Sequence, residues 1–318
     1  MGSMRPRTVA AATLVAGIAA GVLVARRRTP PVGEPHPADL AVPVGTTRTV
    51  TTDDGAHLPV WVVGEGPTVV LPHCWMGGPA VWAPVAHRLV RAGRQVVLYD
   101  QRGHGGSTIG QDGLTIERLG LDLDAVLTAV DAQHAVLAGH SMGGMTIQSF
   151  ATERPDAFAE RVDAVVLVST ASATDPRTVR QAQLQARALG HPLSDAALRR
   201  PVGVRLVGGA FGPAASRPAR VITRDLCLAC PPSVRRTWLE AMLAMDLRPG
   251  LAGIDVPTRI LVGSRDSLTP VAQAQELHDL IAHSTLTILP NQGHMLPLEA
   301  PDEVSDAILT VLADRVPV

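Results

Sequence analysis

The sequence contains no lysine: all 28 of its basic side chains are arginine. Alanine is abundant beside them, so the gap reads as compositional bias and excludes no function by itself. Cysteine is scarce as well. Three thiols, an odd number, rule out a disulfide framework. Cys227 and Cys230 form a lone C-x-x-C with no second pair and no histidine cluster nearby, which argues against a zinc site and against a redox pair. Two small apolar residues in a helical segment are the simpler reading. The net charge is only −1, so no global field draws nucleic acid to the chain. Repeats and long low-complexity stretches are absent too. What remains is ample apolar material, 46% of 318 residues, enough for one α/β domain with a sizeable core.

The N-terminus has a character of its own. Thr8 to Ala25 is an uncharged run rich in Ala, Val, Gly and Leu, with Arg5 and Arg7 before it and Arg26, Arg27 and Arg28 after it. As a helix it would reach roughly 27 Å, close to a hydrocarbon core. Residues 1–28 are therefore expected to be a leader that acts as a single membrane anchor through residues 8–25. The arginines at its exit favour a cytoplasmic catalytic domain; a cleaved signal peptide and a secreted protein are the alternative. Residues 29–45 carry five prolines and read as a semi-rigid linker.

From Thr46 onward the pattern is that of a folded core. Residues 46–52 and 57–63 flank Asp53-Asp54-Gly55 as a hairpin. Val- and Leu-rich runs then end near Leu71, Tyr99, Ala138 and Ser169, as strands buried on both faces should. Helical periodicity lies between them, with Leu119, Leu123, Val126, Leu127 and Val130 as one apolar stripe. Alternating strands and helices predict a mostly parallel sheet covered on both faces, over residues 46–171 and 249–318. The intervening residues 172–248 are expected to be helical.

The most informative stretch is Gly139-His140-Ser141-Met142-Gly143-Gly144. It follows the apolar run 135–138 and precedes a helical segment, so Ser141 stands at the apex of a sharp strand-to-helix turn, expected to lift its hydroxyl into solvent. The Met142 amide then lies at a helix N-terminus, where developing negative charge is stabilised. A serine hydroxyl needs a base, and the base needs an orienting acid. Asp266 follows the strand-like run 256–262, and His294 follows the run 286–289. Both lie beyond strand C-terminal ends, where open α/β sheets gather their ligands, and the order Ser, Asp, His suits this turn type. Asp175 is the runner-up for the acid.

Four stretches together resemble the α/β-hydrolase superfamily over residues 46–315. Gly-His-Ser-Met-Gly-Gly is similar to its nucleophile elbow, and His73-Cys74-Trp75-Met76-Gly77-Gly78 to its oxyanion loop, with Cys74 where glycine is usual. Asp100-Gln101-Arg102-Gly103-His104-Gly105 resembles a turn used structurally, so His73, Asp100, Arg102 and His104 are expected to make turn hydrogen bonds and a local ion pair. The Asp266 and His294 pair completes the set. The resemblance implies an α/β-hydrolase fold with residues 172–248 as a helical cap. It also implies a Ser141–Asp266–His294 triad and an oxyanion hole from the Trp75 and Met142 amides. No metal and no organic cofactor is called for.

The activity so implied is hydrolysis of a carboxylic ester or thioester through an acyl-enzyme on Ser141. Residues 172–248 hold twelve arginines against five acids. Guanidinium groups suit anionic partners, so an acyl chain on a phosphopantetheine carrier is one expected substrate; a solvated basic surface is the bland alternative. The same three side chains would also suit a cofactor-free perhydrolase or lyase, and a non-catalytic binding protein could keep such a pocket. Ser141 argues against the carboxylate-nucleophile chemistry of epoxide hydrolases and dehalogenases.

Overall fold

A computed structural model describes residues 37–174, 183–184, 187–191 and 193–311. Eight strands form one sheet: β1 Thr46–Thr51, β2 His57–Val63, β3 Thr68–Val70, β4 Gln95–Tyr99, β5 Ala135–His140, β6 Val162–Val168, β7 Thr258–Gly263 and β8 Ser284–Leu289. Their spatial order is β1-β2-β4-β3-β5-β6-β7-β8. The hairpin pairs antiparallel and β2 runs antiparallel to β4, while every pairing from β4 to β8 is parallel. Helices cover both faces: α1 Ala83–Arg91, α2 Ile116–Ala129, α3 Met142–Glu153, α4 Pro155–Arg161, α5 Leu193–Leu198, α6 Gly203–Val207, α7 Arg217–Ala229, α8 Pro232–Ala244, α9 Val271–Leu280, α10 Leu296–Glu299 and α11 Pro301–Thr310. This is the expected α/β-hydrolase fold.

Alternation along the central strands explains the double cover. Val70, Val97, Leu137, Val165 and Leu167 face one way, against Leu123 and Leu127 of α2 and Ile147 and Phe150 of α3. Val69, Val96, Val136, Val166 and Val168 face the other way, against Val85 and Leu89 of α1 and Val304 and Ile308 of α11. A parallel strand buried on both sides must be apolar at odd and even positions alike, and all six residues of β5 are buried. At the edge, β8 alternates polar and apolar residues and is largely exposed.

Residues 172–248 contribute α5 to α8 and, among the described residues, no strand. Their two ends are tied together: Ala173 bridges Asp246, and the Leu247 amide donates to the Ser172 carbonyl at 2.8 Å. The insertion lies on the sheet's carboxyl edge. Val234, Trp238 and Met242 of α8 pack on Met142 and Met145 of α3, and the Trp238 indole donates to the Arg102 carbonyl at 3.1 Å.

The expectation of a membrane-attached, cytoplasmic catalytic domain is corrected here. Among the described residues no helix is long and apolar enough to cross a membrane. The longest, α2, has 14 residues and reaches only about 21 Å, short of the roughly 30 Å hydrocarbon core. The apolar segment 8–25 lies outside the described residues, as do Asp175, Arg177 and Arg180.

Candidate active site

Ser141 joins β5 to α3 with φ 54° and ψ −116°, a conformation that costs a non-glycine residue about 1–3 kcal/mol. Its surroundings enforce the strain. The Ser141 amide donates to the Val168 carbonyl at 2.9 Å, and the Thr170 hydroxyl donates to the Ser141 carbonyl at 2.7 Å. Two glycines make the turn tight enough. A Cβ on Gly139 would lie 2.3 Å from the Gly143 oxygen, and one on Gly143 would lie 2.1 Å from the Pro72 oxygen. The serine is not lifted into open solvent as expected. It is only 8% exposed, because α8 covers the neighbouring Met142 and Met145.

The other two expected triad members meet directly. Asp266 lies just past β7 and His294 just past β8, and the His294 Nδ1 stands 2.9 Å from Asp266 Oδ2. A carboxylate only accepts, so Nδ1 carries the proton and the Nε2 lone pair is left free. Burial alone would push the Asp266 carboxyl up. The facing His294 and hydrogen bonds from His294, the Thr269 amide and the Thr269 hydroxyl pull it down to about 2. The Leu268 amide donates to the same carboxylate at 2.9 Å. The His294 ring lies 5.1 Å, centroid to centroid, from the ring of His140, the residue before Ser141. Among the described residues no hydrogen bond links the Ser141 hydroxyl to the imidazole, so two of the three members are brought into contact, and the third is the residue after His140.

Several residues that position His294 have no local signature in the sequence. Thr269 Oγ1 donates to Asp266 Oδ2 at 2.9 Å and sits 3.2 Å from His294 Nδ1. His140 Nε2 donates to the His294 carbonyl at 2.8 Å, and the Ala210 carbonyl, from the helical insertion, accepts the His294 amide at 2.8 Å. Glu299 accepts from the amides of Gly212, Gly293 and Met295 at 2.6, 3.0 and 3.0 Å, clamping the insertion to the histidine turn. Burial pushes its carboxyl up. A lone acid in the apolar run 295–300 is the one sequence signal that points to Glu299.

The two expected oxyanion donors lie on neighbouring stretches, since the backbone at Pro72 and His73 presses on Gly143. Met142 heads α3, and the Trp75 turn ends in a left-handed Met76 with φ 54°. The Met76 amide donates to His104 Nε2 at 3.1 Å and the Gly77 amide to the Cys74 carbonyl at 3.0 Å. Among the described residues neither the Trp75 nor the Met142 amide has an acceptor. Cys74 stays out of the left-handed region and buries its side chain among Val81, Phe211 and Met295. Burial pushes its thiol up to about 12, and Cys227 and Cys230 are likewise buried and free.

The residues expected to be structural do make turn bonds. His73 Nε2 accepts from the Gln101 amide at 3.0 Å, so its Nδ1 donates to the Cys74 carbonyl at 2.8 Å. Arg102 is fully buried, with Nη1 at 2.7 Å from Asp54 and Nη2 at 2.6 Å from Asp122. Asp100 takes no part in that ion pair. Burial lowers His104 to about 4 and His140 to about 3, so both are neutral at ordinary pH. Among the described residues no group of three or more His, Cys, Asp and Glu could hold a metal ion.

Comparison with known proteins supplies the family. Residues 68–301 match the family model described as serine aminopeptidase, S33. The chain is 30% identical over 217 residues to 3-oxoadipate enol-lactonase 2 of Acinetobacter baylyi, covering 68% of this chain and 78% of that protein. It is 29% identical to the pimeloyl-[acyl-carrier protein] methyl ester esterase of Chromobacterium violaceum, covering 75% and 91%. Among solved structures, the enol-lactonase from Burkholderia xenovorans LB400 superposes with a TM-score of 0.68 at 27% identity, covering 84% of this chain and 100% of that one.

Proposed function

This chain belongs to the α/β-hydrolase family of the serine aminopeptidase S33 model, and from that membership we propose that it is a serine hydrolase cleaving a carboxylic ester or thioester through an acyl-enzyme on Ser141. One observation carries the reading. A strained serine heads α3 directly after His140, whose ring lies 5.1 Å from an imidazole that a buried carboxylate binds, through Nδ1, at 2.9 Å.

In this reading Ser141 Oγ attacks the acyl carbon while its proton passes to His294 Nε2. The Trp75 and Met142 amides hold the resulting oxyanion, each worth about 3 kcal/mol. His294 returns the proton to the departing alcohol or thiol, takes one from the water that attacks the acyl-enzyme, and gives it to Ser141 Oγ as the free acid leaves. Asp266 holds the tautomer and stabilises the imidazolium without becoming protonated. Residues 172–248 serve as the cap over this site, a role supported by the hold of Ala210 and Glu299 on the histidine turn.

A fluorophosphonate probe tests the proposal. The wild-type protein is expected to take one adduct, on Ser141, and to hydrolyse p-nitrophenyl acetate. Ser141→Ala is expected to take no adduct and to lose at least about 10⁴-fold in kcat. Equal labelling of both proteins would end the reading.

A further inference from the structure

The helical insertion holds a cavity of about 590 Å³ whose wall carries Arg199, Arg205, Arg217, Arg220 and Arg224, with no acidic residue among its lining. That volume is in the range of small-molecule sites. Three helices build it. Arg217, Arg220 and Arg224 recur at spacings of three and four, so one face of α7 presents all three. Arg205 comes from α6, and Arg199 from the end of α5.

Four of the five charges in this cavity are uncompensated by any side chain among the described residues. Arg224 is held by Asp225 at 2.6 Å. Elsewhere in the insertion the pattern is the same: Arg235, Arg236 and Arg248 pair with Asp195, Glu240 and Asp246. The side chains of Arg199, Arg205, Arg217 and Arg220 have no hydrogen-bond or ion-pair partner among the described residues. Arg220 is half-buried, and its Nε is a buried donor with no acceptor. A buried donor left unmade costs about 1–3 kcal/mol, more when charged, so an acceptor entering the cavity would be stabilised there. Four guanidinium groups around one space also repel each other until an anion enters.

We propose that this cavity binds a ligand carrying a diphosphate group. A diphosphate supplies about three negative charges at neutral pH and several oxygens for planar guanidinium forks. One carboxylate would leave three of the four charges unanswered, and one phosphate about two. Pro201, Val204 and Ala215 add an apolar wall suited to the organic remainder of such a ligand. The site also lies near the chemistry: a Cβ built on Gly208 would stand 3.6 Å from Arg220 Nη1, and Gly208 is two residues before Ala210, whose carbonyl holds the His294 amide.

Calorimetric titration of inorganic pyrophosphate, ADP and AMP into the full chain tests this. Pyrophosphate and ADP are expected to saturate one site, at least about tenfold tighter than AMP, and to weaken steeply with salt. Arg205→Gln with Arg217→Gln, two exposed and unpaired positions that the fold does not need, is expected to lower that affinity about tenfold or more. ADP binding more tightly than pyrophosphate would assign the apolar wall to a nucleoside-like group; equal binding would assign recognition to the diphosphate alone. Ser141→Ala protein is expected to bind as wild type does, so a failed esterase and a failed anion site give different results. No saturable binding of pyrophosphate or ADP, equal affinity for ADP and AMP, or a double variant that binds like wild type would overturn the proposal.

Discussion

Asp100 and Asp266 occupy comparable places in the fold. Each lies in the turn after a strand of the parallel sheet, β4 and β7, and each is almost fully buried, with exposures of 5% and 6%. Their chemistry differs widely. Asp100 accepts one protein hydrogen bond, from the Gly106 amide at 2.7 Å, and burial raises its carboxyl to about 6. Asp266 accepts from two amides, a hydroxyl and the facing imidazole, and lies at about 2. Equal burial therefore does not set the charge of a carboxyl. What separates the two is the facing His294, whose charge, together with the donors around it, stabilises the Asp266 anion that desolvation opposes. The sheet edge thus holds one carboxylate poised to orient an imidazole and one carboxyl close to neutrality.

The strongest way to break this comparison is Asp266→Asn. The amide keeps the shape but loses the charge, and its NH₂ can face Nδ1, favouring the wrong tautomer of His294. We expect kcat on p-nitrophenyl acetate to fall by about 10³–10⁴-fold with the fold intact by circular dichroism. A loss under tenfold would mean that another group orients the imidazole.

The contrast also marks what can be read from the chain. Ser141, Asp266 and His294 are legible because each follows an apolar run with small or polar turn residues, a local pattern. The parallel sheet is legible for the same reason, from continuous Val and Leu runs. Thr269, Glu299 and the His140 bond are not, since each acts through a partner that only the fold brings near. The Glu299 clamp on Gly212 spans 87 positions. The burial of Ser141 is hidden in the sequence because it depends on where α8 comes to rest. Asp100 looks like a member of an ion pair that belongs instead to Arg102, Asp54 and Asp122. Sequence proximity places Asp100 and Arg102 together, while the strand end turns their side chains toward different partners.

Asp100→Asn gives an effect of intermediate size, read as stability against pH. The folded-state carboxyl holds its proton more tightly than the unfolded one, at about 6 against an ordinary 3.8. The folded protein therefore loses stability as pH rises from about 4 through 6, and the penalty is constant above that window. A shift of this size corresponds to about 2–3 kcal/mol. Asparagine can still accept from Gly106 and carries no charge. Its Tm is expected to exceed that of wild type by roughly 5 °C or more at pH 7.5, with the difference closing by pH 4. An equal gap at both pH values would show that the carboxyl is not titrating in this window.

The smallest effect belongs to Thr269, one of several donors at Asp266. Removing its hydroxyl leaves two amides and His294 Nδ1 on the carboxylate, enough to keep it charged. What is lost is geometry, because the hydroxyl binds Asp266 Oδ2 and touches His294 Nδ1 and so fixes the angle between the two groups. Thr269→Val keeps the side-chain volume and deletes that hydrogen bond, a loss of about 1 kcal/mol in a neutral-donor interaction with a charged acceptor partly satisfied by others. Its kcat is expected to drop by about fivefold with KM unchanged, since no substrate contact is removed. Thr269→Ser restores the hydroxyl and is expected to recover wild-type kcat to within about twofold, an outcome that packing alone would not produce, because serine lacks the methyl group that valine keeps. If valine matches wild type, or serine fails to rescue, the hydroxyl has no part in aligning the pair and the low position of Asp266 rests on its amides and histidine.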